Sequence, residues 1–194
     1  MEKVTVPEGT NGPWVIDRFT VDHVDFSSLR RGREAPVGQT FTRLKRNGTL
    51  VMSDTPAEMR DHLAPEWKAK GSCLINGLGI GMVLQAVLAK PEVTDVTVVE
   101  ISQELIDLIA PHYSDPRLTV VCADAFEFVP PKGKRYQMVW HDIWDDICTD
   151  NLEEMTKLHR KYGRLTDWQG SWSKELCLDQ RRRDAREDRR WGRF

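Results

Sequence analysis

From residue 71 onward, short runs that are apolar almost throughout alternate with longer amphipathic segments, and no other feature of the chain constrains its fold as strongly. SCLING gives way to GMVLQAVLAK, DVTVVEI to SQELIDLIAPHY, RLTVVCA to a short turn around FEFV, and YQMVWHD to NLEEMTKLHRKY. A strand with no polar face has to be covered on both sides, and strands separated by helices run parallel. The expected fold class is therefore α/β, a Rossmann-like, doubly wound and mainly parallel sheet. Ile101, Leu105, Ile106, Leu108 and Ile109 are expected to form one apolar face of the second helix. RLTDWQGSW is a candidate fifth strand, although its apolar content is thin.

Residues 1–54 follow a different pattern. The runs KVTV, WVIDRFTV, QTFTRL and TLVM are broken by PEGTNGP, SSLRRGREAPVG and RNG, which predicts a small appendage of β-hairpins. DTPAEMRDHL then reads as a helix start, with Asp54 or Thr55 as the cap and Pro56 in the first turn. The main domain is expected over residues 55–175. Residues 176–194 are expected to form a polar helix or tail, because WSKELCLDQRRRDAREDRR turns polar after Leu178.

A chain of 194 residues has room for one core. Its 28 basic and 30 acidic side chains leave a net charge of −2, without the concentrated positive face of a general nucleic-acid binder; only RRRDAREDRRWGRF is basic. The four cysteines form no CxxC pair and stand at no ligand spacing with histidine, so no metal site is expected, and Cys73 and Cys122 read as small core residues. No run reaches the ~18–20 apolar residues of a membrane span. MEKVTVPEGT lacks a signal-peptide core, which predicts a cytoplasmic setting.

Residues suited to chemistry gather at the strand ends. LINGLGIGM puts Gly77, Gly79 and Gly81 at the turn out of the sheet's first strand, where glycine lets a ligand approach the backbone and the next helix offers unpaired N–H groups. Taken alone, such a turn fits a ligand-free strand end equally well. Glu100 ends the second strand twenty-three positions after Gly77. That is near the ~20-residue spacing at which an acid accepts hydrogen bonds from ribose hydroxyls, while a solvated cap on the next helix is the alternative. Asp124 ends the third strand and can accept from an adenine amine or cap the FEF turn. Met82 stands where a nicotinamide fingerprint needs glycine or alanine, and no GK[ST] follows for a P-loop.

The fourth strand ends in WHDIWDD. Strand alternation puts His141 and Asp142 on opposite faces, which favours Asp142 as the pocket residue, although His141 titrates near neutral pH. Trp140 reads as a core aromatic and Trp144, beyond the strand, as a pocket residue. Trp168 and Trp172 either cover the sheet edge or line an acceptor site. His23, His62, His112 and His159 stand at no partner spacing that points to chemistry.

GLGIG, VTVVEIS, DPRLTVVCADAFEFV and YQMVWHDIWDD together resemble the successive blocks of class I S-adenosylmethionine-dependent methyltransferases, most closely the spermidine synthase (aminopropyltransferase) family, over roughly residues 50–147. The resemblance implies that Gly77, Gly79 and Gly81 border the methionine and ribose parts of the cofactor, and that Glu100 holds the ribose hydroxyls. Asp124 and Ala125 would contact the adenine, with Ile101 packed on its face. Spermidine synthases end the fourth strand in a segment like VDSTDP, whose first aspartate assists deprotonation of the attacking amine. Asp142 falls on that residue and Asp145 on the second aspartate, which makes them the candidate catalytic residues, with Trp144 and His141 as candidate substrate contacts. Where those enzymes have GGGDGG, this chain has Ile80 in place of the aspartate. The implied function is methyl transfer from S-adenosylmethionine to a small-molecule acceptor. Aminopropyl transfer from decarboxylated S-adenosylmethionine is one alternative and a non-catalytic binding module another. A sheet without the usual sixth and seventh strands leaves an edge that a second copy can cover, so a homodimer is also an expectation.

Overall fold

The computed structural model describes residues 1–23, 32–190 and 192. The SSLRR portion of the expected N-terminal break, and most of the last four residues, lie outside the described residues. Strands β1 (Gly9–Asn11), β2 (Trp14–Thr20), β3 (Thr40–Arg46) and β4 (Thr49–Ser53) form an antiparallel sheet in that order. The β3–β4 hairpin turns on Asn47 and Gly48, both at positive φ, as the Asn-Gly pair specifies. Two short helices follow, α1 (Pro56–Asp61) and α2 (Leu63–Lys68).

The second sheet is wholly parallel and has the order β7-β6-β5-β8-β9. Its elements are β5 (Gly71–Asn76), α3 (Met82–Leu88), β6 (Val93–Glu100), α4 (Gln103–Ile109), β7 (Leu118–Cys122), β8 (Tyr136–His141), α5 (Asn151–Tyr162), β9 (Thr166–Ser171) and α6 (Lys174–Arg190). The chain moves outward from β5 to β7 and then returns to β8 on the other side. The strand order therefore reverses between β5 and β8, where α/β sheets open a crevice at their C-terminal ends.

The two-residue period of the strands divides the core into two layers. Cys73, Ile75, Val96, Val98, Met138 and Trp140 pack on one face with Val83 and Val87 of α3 and with Leu105 and Ile109 of α4. Leu74, Val99, Tyr136 and Val139 pack on the other with Leu158 and Tyr162 of α5. Arg117 closes the C-terminal end of α3, donating to the carbonyls of Lys90 and Val93 at 3.0 Å each.

The N-terminal sheet is not detached from this core. Val4, Val6, Trp14, Ile16 and Leu44 join the first layer. Asn11 Nδ2 donates to the Glu104 carbonyl at 2.9 Å, and Trp14 Nε1 to Ser102 Oγ at 2.8 Å. Each fully buried apolar side chain contributes roughly 1.5–3 kcal/mol, against about 0–1 kcal/mol for an exposed ion pair, so apolar packing fixes the N-terminal sheet in place.

Several local expectations need correction. Asp54 is fully buried and accepts from the backbone N–H groups of Val4 and Thr42 at 3.2 and 2.6 Å, so it joins strands, and Thr55 occupies the cap position. Ser102 caps α4 by accepting from Leu105 N at 3.2 Å. Ile101 therefore precedes the helix, is 69% exposed and belongs to no buried helical face. Cys122 is exposed, because it ends β7 at the edge of the sheet. Thr166–Ser171 does form the fifth strand, parallel to β8, and α6 stays helical through its exposed polar half. Among the described residues no helix is long and apolar enough to cross a membrane.

Candidate active site

A cleft of about 310 Å³ opens at the switch point, walled by the tips of β5, β6, β7 and β8 and by Leu44, Val51 and Met52 of the N-terminal sheet. Of the residues singled out from the sequence, Gly77, Gly79, Glu100, Ile101, Asp124, Ala125, Asp142, Trp144 and Asp145 line it. Gly81 and His141 do not.

The glycine turn extends the sheet before it bends. Gly77 N donates to the Val99 carbonyl and Asp142 N to the Asn76 carbonyl, each at 2.8 Å, which draws the turn and the β8 tip together. Gly77 has φ +97°, and a Cβ there would lie 1.9 Å from the Asp142 carbonyl oxygen. Gly79 faces Met52, whose Sδ accepts from Ile80 N at 3.2 Å. Gly81 is the left-handed N-cap of α3 and abuts Tyr113, and the Ile80 side chain is fully buried in the core.

Glu100 is 8% exposed and accepts from Leu78 N through Oε2 and from Ser102 N through Oε1, both at 2.9 Å. A carboxylate offers about four lone-pair sites, so each oxygen retains one for a ligand hydroxyl. Glu100 thus couples the glycine turn to the start of α4 on the cleft wall. Asp124 caps the turn, its Oδ1 accepting from Phe126 N at 2.7 Å, and the residue also lines the cleft. Ile101 adds an exposed apolar surface of the kind that a flat ring covers. These residues suit an adenosyl group: hydroxyl acceptors, an amine acceptor and an apolar wall.

Across the cleft the chemistry changes. Asp142 Oδ2 lies 2.8 Å from His62 Nε2, and His62 Nδ1 lies 2.7 Å from the Glu58 carbonyl. Burial alone would depress the His62 pKa, but the charge and hydrogen bond of Asp142 reverse that and raise it to about 9. Burial lifts the Glu58 carboxyl to about 7, against the opposing pull of His62 and Arg33. Trp144 Nε1 donates to Glu154 at 2.7 Å, and Asp145 pairs with Arg46 at the rim. Trp172 reaches the cleft, whereas Trp168 stacks on Trp140 at 6.3 Å, so the two tryptophans of WQGSW divide between pocket and core. Sequence reasoning passed over His62 and Glu58; their four-residue separation, which stacks two side chains across one helical turn, was the available signal.

His141 is the correction among the expected substrate contacts. It is fully buried, with Nδ1 2.8 Å from Asn76 Nδ2 and Nε2 3.3 Å from Gln169 Oε1. Strand alternation turns it away from Asp142, toward α5. Burial pushes its pKa down to about 3, and that of His159 beside it to about 4, with the Lys174 charge adding to both. The unfolded chain takes up these protons near pH 6.5, so this stabilisation is complete above that pH and is lost as the pH falls through 4 and 3. His159→Gln is expected to flatten the decline of Tm between pH 6.5 and 4 relative to wild type. An unchanged slope would show that His159 is charged in the folded protein.

The sheet order, the glycine turn after the central strand and the acids at neighbouring strand tips define a class I methyltransferase-type Rossmann-like fold. A sequence model for the spermine/spermidine synthase domain matches residues 57–162. The chain belongs to that family. Among solved structures, spermidine synthase from Thermotoga maritima aligns with TM-score 0.46 and 16% identity over 79% of this chain and 53% of its own. The N-methyltransferase NodS from Bradyrhizobium japonicum WM9 aligns with TM-score 0.46 and 12% identity over 58% of this chain and 64% of its own. The 23S rRNA methyltransferase ErmE aligns with TM-score 0.46 and 18% identity over 58% of this chain and 43% of its own. The chain thus spans 43% to 64% of the length of these proteins.

Proposed function

We propose that the chain is a transferase that takes an alkyl group from an S-adenosylmethionine-type sulfonium to a small amine, and that the decarboxylated donor is the better fit. The charge inventory of the cleft carries this reading. Glu58, Glu100, Asp124, Asp142, Asp145 and Glu154 line it, and its two basic residues, Arg46 and His62, are each paired with one of those acids. The turn N–H groups of Leu78 and Ile80, natural partners for a methionine carboxylate, are engaged by Glu100 and Met52. An aminopropyl chain places an ammonium in such surroundings, whereas a full methionine tail places a carboxylate there. The bound sulfonium supplies an activated carbon, so the protein's share is alignment and removal of the acceptor's proton.

Methyl transfer from S-adenosylmethionine itself is the second reading, favoured by Ile80, which leaves the glycine turn without an acid. Calorimetry with both donors and methylthioadenosine decides between them. Decarboxylated S-adenosylmethionine is expected to bind at least tenfold more tightly than S-adenosylmethionine, about 1.4 kcal/mol. The reverse order supports methyl transfer, and silence with all three ligands ends both readings.

Glu100→Ala is expected to weaken donor binding by roughly 1–3 kcal/mol, because ribose hydroxyls lose a charged acceptor. Unchanged affinity in a folded variant removes Glu100 from the site.

A further inference from the structure

We infer that His62 is a positioning residue for the transfer reaction: its ring, anchored by the Glu58 carbonyl, grips one oxygen of Asp142 and leaves the other free to take the acceptor's proton. This rests on the function proposed above. The assignment follows from donor and acceptor logic. A carbonyl oxygen only accepts, so the contact at 2.7 Å requires a proton on Nδ1. A neutral ring with that proton turns a bare Nε2 lone pair toward Asp142 Oδ2 at 2.8 Å, where a carboxylate would also present a lone pair. The pair therefore holds one further proton between Nε2 and Oδ2. An imidazolium with a carboxylate is the form that leaves Asp142 able to act as a base.

The surroundings keep this geometry fixed. His62 is 1% exposed, stacks on Trp172 with centroids 6.4 Å apart and meets Trp140 edge-on at 6.1 Å. Asp142 is held by its own backbone N–H bonded to Asn76. The charged and titratable groups around the ring are Asp142 beyond β8 and, on and beside α1, Glu58 and Asp61, the latter paired with Arg33 at 2.6 Å. His62 has no nitrogen left over, so it does not receive the acceptor's proton. Asp142 does the chemistry, and His62 sets which oxygen does it.

The test uses the whole chain, with decarboxylated S-adenosylmethionine and putrescine as probes. Ring nitrogen NMR at pH 7.5 is expected to show His62 with both nitrogens protonated, and Asp142→Asn is expected to return it to a neutral ring carrying its proton on Nδ1. This readout needs no turnover, so it separates failure of this inference from failure of the proposed function. A neutral ring in the wild type, or no change in Asp142→Asn, overturns the inference. In the kinetics, His62→Leu is expected to lower kcat at least tenfold with KM values within threefold. His62→Gln keeps a donor near Nε2 and is expected to restore most of kcat. Equal losses in the two variants, or a loss confined to KM, assign His62 a purely structural role and overturn the inference.

Discussion

Gly77→Ala is expected to remove donor binding and to lower stability by about 3 kcal/mol or more, through two separate penalties. At φ +97° a side chain costs on the order of 1–3 kcal/mol in backbone strain. The added methyl would also stand 1.9 Å from the Asp142 carbonyl oxygen, a main-chain atom that cannot rotate away as a side chain can. Relief requires the turn and the β8 tip to separate, which breaks the hydrogen bond from Asp142 N to the Asn76 carbonyl and pulls Asp142 away from Glu100 across the cleft. For a chain of this size the stability loss corresponds to a fall in Tm of roughly 6–12 °C. Gly48→Ala is the control: Gly48 is also at positive φ, +80°, but nothing lies within 4 Å of its Cβ position. It should suffer only the strain. Equal Tm losses in the two variants, or retained donor affinity in Gly77→Ala, would show that the close backbone approach does not shape the site.

The contrast between Glu100 and His62 shows which parts of the site are legible in a sequence. Glu100 and Asp124 are found because a parallel strand places its last residue at a defined edge, and the end of an apolar run marks that edge. The same pattern yields the strand sequence, and the order then follows from the return from β7 to β8. His62 escapes because its partner Asp142 lies 80 positions away, and only the folded sheet brings α1 over the β8 tip. His141 fails for a reason of register: one position along a strand exchanges the cleft for the opposite core layer, and a strand end does not announce which face its last residue takes. The packing of Val4, Val6 and Trp14 against the main core is likewise tertiary, since their hairpin pattern states only that one face is apolar. Asp54 and Thr55 are equal cap candidates by local signal, both standing just before Pro56; two strand N–H groups in the burial site of Asp54 claim its carboxylate, which leaves the cap position to Thr55.

Asp142→Asn is expected to cost the largest factor in turnover, on the order of 10²–10⁴ in kcat, the range that a positioned proton acceptor supplies. An amine acceptor near neutral pH is an ammonium with no lone pair to attack with. As the nitrogen–carbon bond forms and the carbon–sulfur bond breaks, with its electron pair left on sulfur, a proton has to leave the nitrogen, and Asp142 Oδ1 is the available oxygen. Asparagine is nearly isosteric, and its amide N–H can donate to the bare Nε2 of the neutral His62 ring, so donor affinity is expected to stay within about threefold. Glu58 is the rival base, since burial has already brought its carboxyl to about 7, close to the pH at which a base works best. The two assignments give opposite results. If Asp142 is the base, Glu58→Gln leaves the acid limb of kcat in place and Asp142→Asn collapses kcat. If Glu58 is the base, the wild-type acid limb lies near pH 7 and disappears in Glu58→Gln, while Asp142→Asn retains most of its rate. The second outcome would turn the His62–Asp142 pair into an electrostatic prop for Glu58 and move the chemistry one helical turn away from the strand tip.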